Sequence, residues 1–108
     1  MLIEMLRPVI HYGLHLAFPY AIAWKFYPFK KLKVYLVLLA TMLIDLDHLM
    51  ANPIFDPNRC SIGFHPLHTY YALLVYLLLL VPKKTRVIGI GLVLHLITDY
   101  IDCFLIRI

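Results

Sequence analysis

Apolar residues along this chain fall into four blocks separated by polar gaps. The first runs from about Pro8 to Trp24, the second from Leu32 to about Met50. The third runs from about Pro66 to Val81 and the fourth from Val87 to about Leu105. Each block is roughly 16–19 residues, at the short end for a membrane-spanning helix. Helices are the reading, because a chain this small cannot close a barrel. Pro8 and Pro66 suit first-turn positions, and Pro19 lies inside the first helix, where it predicts a kink. Gly89 and Gly91 either permit close helix contact or are unspecialised small residues. Most gaps are short, which makes neighbouring helices antiparallel. The exception is Asn52–Phe64, where Pro53, Pro57 and Gly63 predict a structured turn and not a fifth helix. The fold expected is all-α: one domain over residues 1–108, an up-down integral membrane bundle of four transmembrane helices.

Composition strengthens this picture. The chain has 108 residues, 63% hydrophobic and 15% charged, with a mean hydropathy of +0.84. That excludes a disordered chain. It also disfavours an ordinary water-soluble domain, since so short a chain has too much surface to hide its apolar residues. Formal net charge is +4. The basic residues sit in the gaps, so orientation in a bilayer explains them better than nucleic-acid binding does. Lys25, Lys30, Lys31 and Lys33 fill the first gap, and Lys83, Lys84 and Arg86 fill the third. Only Arg7, Arg59 and Arg107 lie on the other side. The positive-inside bias puts the lysine-rich gaps in the cytoplasm and both termini and the 52–64 loop outside. Trp24, Phe26, Tyr27 and Phe29 form an interfacial belt beside the first lysine gap. The N-terminal run lacks a basic n-region and a small-residue cleavage site, so it reads as a span and not as a cleaved signal.

Against this apolar background the ionisable residues stand out. His11, His15, His48, His65, His68 and His95 lie in or beside the spans, as do Asp45, Asp47, Asp99 and Asp102. An intramembrane aspartate costs about 2.5–3.5 kcal/mol, so four left unpaired at full depth would cost roughly 10 kcal/mol. Spacing offers the compensation. His11/His15 are i, i+4; Asp45/His48 and His65/His68 are i, i+3; His95, Asp99 and Asp102 run i, i+4, i+7. Each set shares one helix face. Measured at ~1.5 Å per residue from the cytoplasmic ends, all of them gather in the outer half of the membrane. Asp47 breaks the pattern, because on an ideal helix it points about 160–200° away from Asp45. It takes part only if the helix ends or unwinds near "DLDHLMANP".

Imidazoles and carboxylates converging between helices point to a metal centre. The donor set suits zinc, with manganese or iron as alternatives, and is large enough for one or two ions. Candidate ligands are His11, His15, Asp45, His48, His65, His68, His95, Asp99 and Asp102, with Asp102 or His68 as general base. Arg59 is either an anion clamp for substrate or a topogenic residue. Asp56 and Glu4 read as surface residues. Tyr12 and Tyr100 read as packing or belt residues that neighbour the site. Cys60 and Cys103 share the outer end, as a disulfide, as separate thiols or as a metal ligand.

The stretches "RPVIHYGLH", "MLIDLDHLMANPIFDPNRCSIGFHPLH" and "GLVLHLITDYIDC" resemble an uncharacterised family of small bacterial four-helix membrane proteins. The resemblance covers nearly the whole chain. More distantly the chain is similar to LexA-regulated inner-membrane proteins classed as metal-dependent hydrolases. Those carry a histidine in the first helix, a D-x-D-H closing a span, an H-x-x-x-H after it and a later H-x-x-x-D. The matching positions are His11/His15, Asp45–His48, His65/His68 and His95/Asp99. His65 and His68 depart from the pattern, being three apart with a proline between them.

The expected function is therefore a membrane-embedded, metal-dependent hydrolase of the bacterial inner membrane. It would cut a lipid ester or phosphoester, or another lipid-linked substrate, on the periplasmic side. The alternative is a metal-binding, transport or sensing protein without catalysis. The apolar cytoplasmic halves "YLVLLATMLI" and "LLVYLLLLV" leave no polar route across, which argues against transport. Paired histidines would also suit haem, but the accompanying aspartates do not. No nucleic-acid partner is expected. A homodimer fits the small size, although no dimer motif is readable.

Overall fold

The computed structural model describes residues 2–107. All regular structure among them is helical. Helix α1 (Leu2–Tyr12) continues through a π turn (Gly13–Ala17) into α2 (Phe18–Phe26). Helix α3 (Lys31–Ala40) runs directly into a 3₁₀ helix (Thr41–Met50). A short 3₁₀ turn (Pro66–His68) precedes α4 (Tyr70–Leu78), and α5 (Arg86–Arg107) closes the chain. Helix α5 is the central element and touches α1, the π turn, α3, the long 3₁₀ helix and α4.

Four helical columns are present, but not as four uninterrupted spans. Among the described residues only α5, with 22 residues, is long and apolar enough by itself to cross a membrane. Each other column is broken for a local reason. Pro8 lies inside α1, not at its first turn. Pro19 has no N–H for the His15 carbonyl and its ring crowds that group. The backbone absorbs this as a π turn, in which the Phe18 N–H reaches Gly13 O. The Tyr35 hydroxyl donates to the nearby Leu16 carbonyl at 2.9 Å. In the third column the α-helix begins only at Tyr70, because Thr69 caps it by accepting from Ala72 N–H at 3.3 Å.

The second column carries the most consequential departure. Thr41 bonds back to Leu38 O, a habit that bends helices. Beyond it the chain winds at three residues per turn for ten residues, where such runs rarely exceed three or four. Burial follows the same period. Thr41, Ile44 and Asp47 form the inward row, with Thr41 and Asp47 buried. Met42, Asp45 and His48 form a second row that lines a cleft. Leu43, Leu46 and Leu49 form the third row and are all more than 60% exposed. The glycines of α5 make this contact possible. A Cβ on Gly91 would lie 2.6 Å from the Thr41 side chain, and one on Gly89 would press on the Leu79 and Leu80 backbone.

The interior is polar and the exterior apolar. Among the described residues the two largest fully buried side chains are His65 and His68. The buried apolar groups are modest: Ala23, Val34 and Leu38 in one cluster, Tyr76, Leu92 and Leu96 in another. The 51–65 segment folds over one end of the bundle. Cys60 and Cys103 form a disulfide that fastens it to α5. Gly63 turns the chain at a φ of 80°, a region open to glycine but strained for other residues.

Candidate metal centre

Four donors from three columns meet at the centre. His68 Nε2 lies 3.2 Å from Asp45 Oδ1 and 3.0 Å from Asp99 Oδ2. His95 Nε2 lies 3.0 Å from the same Asp45 oxygen and 3.2 Å from the same Asp99 oxygen. The two imidazole nitrogens are themselves 3.2 Å apart. Tetrahedral ligands bonded to zinc at about 2.0–2.1 Å stand roughly 3.3 Å from one another, so these are the edge lengths that a four-coordinate ion requires. Hydrogen bonds account for only some of them, such as His95 Nε2 with Asp45 Oδ1. Each ring nitrogen carries at most one hydrogen, in the ring plane. Asp99 Oδ2 is buried and receives no hydrogen bond despite two nitrogens within 3.2 Å. A buried carboxylate oxygen in that position is costly unless a cation faces it. The donor set fits a divalent ion.

Asp47 organises one side of this group. Its Oδ2 accepts from His68 Nδ1–H at 2.9 Å and from Leu67 N–H at 2.9 Å. Its Oδ1 accepts from His48 Nδ1–H at 3.0 Å. A carboxylate only accepts, so the proton of each imidazole sits on Nδ1. That turns the Nε2 lone pair of His68 toward the four-donor group, the usual carboxylate–histidine–metal relay. Asp47 reaches this place because 3₁₀ winding sets it about 120° from Asp45 and not 160–200°. The sequence left its part conditional on unwinding, and the helix does change winding there. The Tyr76 hydroxyl, donating to Leu67 O at 2.8 Å, braces the same turn.

Two further groups flank the first. His11, His15 and Asp99 place donor atoms within 4.8 Å of one another, as do Asp47, His48 and His65. His48 and His65 stack with centroids 3.8 Å apart. Burial and the neighbouring His48 lower the pKa of His65, which favours a neutral ring.

His11, Asp45, His48, His65 and Asp99 line a cleft of about 600 Å³, together with Tyr12, Met42 and Phe55. Glu4, Arg7, Asp56, Arg59 and Asp102 also line it.

Three expected roles change. Asp102 joins none of the donor groups; it lies one turn beyond Asp99, where Arg7 Nε donates to its Oδ1 at 3.2 Å. That pairing occupies one of its carboxylate oxygens. His68 is fully buried, with Nδ1 on Asp47 and Nε2 among the donors, so it has no nitrogen left to act as a base. Arg59 spends its fork on the loop itself. Its two terminal nitrogens donate to Pro53 O and Ile54 O at 2.9 and 3.0 Å, and its guanidinium covers the Phe64 ring. Arg7, which enters the sequence reading only in the charge count, ties α1 to Asp102 and to Pro57 O. Its place one turn before His11 was the available signal.

No curated protein and no solved structure matches the chain. A model for a family of unknown function, DUF6122, matches residues 5–106, and the chain belongs to that family.

Proposed function

We propose that this protein is a membrane-embedded, metal-dependent hydrolase of a lipid ester or phosphoester. The observation that carries the reading is the convergence of Asp45, His68, His95 and Asp99 at tetrahedral edge lengths beneath a cleft. Zinc suits two imidazoles and two carboxylates, with manganese or iron as alternatives. A divalent ion bound in this His/Asp centre would supply Lewis acidity toward an ester or phosphoester oxygen. The protein residues do the rest. Asp47 fixes the His68 ring and, through its other oxygen, the His48 ring. His48 lines the cleft with its Nε2 lone pair free, a suitable place to take a proton from an attacking water.

Several features support a lipid setting. Leu43, Leu46, Leu49, Leu74 and Phe104 are widely exposed, a surface too apolar for a soluble monomer. Helix α5 extends ~33 Å at 1.5 Å per residue, enough for a hydrocarbon core of about 30 Å. Trp24, Phe26 and Phe29 are exposed beside the lysine-rich turn, as an interfacial belt is. The disulfide belongs on an oxidising side, which supports reading the cleft as periplasmic.

The test is turnover. Protein purified with zinc or manganese in phospholipid bicelles is offered a panel of lipid esters and phosphoesters. Product release is expected, and its loss in His95→Ala. Stoichiometric metal with no turnover of any member would defeat the hydrolase reading, and metal flux into proteoliposomes would favour transport.

A further inference from the structure

We infer that the centre holds two ions, and that the second, on His11, His15 and Asp99, is the one with an open coordination position toward the cleft. This rests on the metal-dependent reading above and extends it. Asp99 is the hinge of the argument. Its Oδ2 faces His68 and His95 at 3.0 and 3.2 Å, while its Oδ1 faces His15 Nε2 at 3.4 Å and His11 Nε2 at 4.0 Å. One carboxylate thus offers one oxygen to each of two histidine pairs, the arrangement by which carboxylates bridge paired ions about 3.5–4 Å apart.

The second group also carries its own mark of a ligand. His15 is only 4% exposed, and its Nε2 is buried and makes no hydrogen bond, although it is aimed at Asp99. The His11 and His15 rings lie 4.5 Å apart and nearly perpendicular, at 79°. Their donor atoms and an Asp99 oxygen all lie within 4.8 Å of one another. The π turn before Pro19 is what carries His15 into the interior; π turns are frequent at functional sites.

The two groups differ in completeness. The first has four protein donors, the count that closes a structural site. The second has three, and the half-buried His11 lines the cleft beside Tyr12 and Met42. Three protein ligands and an accessible fourth position are the mark of a catalytic site. Substrate oxygens entering the cleft would therefore meet the His11/His15 ion, while the other ion holds Asp99 and the 3₁₀ helix in place.

Elemental analysis and manganese EPR on the detergent-purified full chain test this. Two zinc ions per chain are expected at saturation. His11→Asn and His15→Asn should each lower the count to one, with helical circular dichroism unchanged. Manganese-loaded wild type should give an exchange-coupled pair signal, and the variants an isolated six-line spectrum. If His15→Asn fails to fold, the more exposed His11→Asn decides. One ion per chain in wild type, or two retained in His11→Asn, overturns the two-ion inference and leaves the four-donor site standing. No ion at all overturns both.

Discussion

Asp47 shows how much one side chain can organise. Its two oxygens accept from His48, His68 and the Leu67 amide, so it aims one imidazole at the four-donor group and another at the cleft. Asp47→Asn keeps the volume but accepts through only one oxygen. Loss of such an outer partner typically weakens metal binding 10–100-fold. A zinc competition titration should show a drop of that size; unchanged affinity would reduce Asp47 to a packing role. Metal removal is the companion experiment. With chelator, the histidines and carboxylates of the centre lose the cation that would offset their burial, so the thermal midpoint should fall and zinc should restore it.

The 3₁₀ helix is the element on which the site depends. Its three rows give Asp47 to the interior, Asp45 and His48 to the cleft, and Leu43, Leu46 and Leu49 to the exterior. The close approach of Gly91 to Thr41 seats it on α5. Gly91→Ala should therefore destabilise by about 1–3 kcal/mol through overpacking, despite the better helix propensity of alanine. Removing the Thr41 hydroxyl and methyl clears most of that collision. In a Thr41→Ala background the Gly91→Ala penalty should shrink or reverse, giving a measurable coupling in a double-mutant cycle. Additive effects would place the strain elsewhere. Much of this was legible in principle. Leucines at 43, 46 and 49 repeat every three residues, but 3.6-residue periodicity is the default, and three repeats do not displace it.

For the molecule as a whole, polar residues inside and apolar residues outside set the topology question. An epitope inserted after Asn58 should be accessible from the periplasm of intact cells, and one after Phe29 only after the inner membrane is permeabilised. The reverse pattern would refute the orientation read from the lysines. Reduction of Cys60–Cys103 should raise hydrogen exchange and proteolysis within residues 51–65, leaving α5 protected. The loop would keep only Arg7, Arg59 and its own turns.

What the sequence determined by itself follows from periodicity and cost. Four apolar blocks dictate helices, and ionisable residues are too costly in such blocks unless they meet one another. His11, His15, Asp45, His48, His65, His68, His95, Asp99 and Asp102 could therefore be read as one convergent set. The tertiary structure decided which atoms face which. It took Asp102 away to Arg7, committed Arg59 to its own loop, closed Cys60 on Cys103 and brought Asp47 inward. Those outcomes depend on a change of helical winding at Thr41, a π turn before Pro19 and the one-turn offset between Asp99 and Asp102. Each is a local displacement of a few ångströms or some tens of degrees. Hydrophobic spacing does not encode shifts that small, whereas hydrogen bonds and metal donors, which act over about 3 Å, are decided by them.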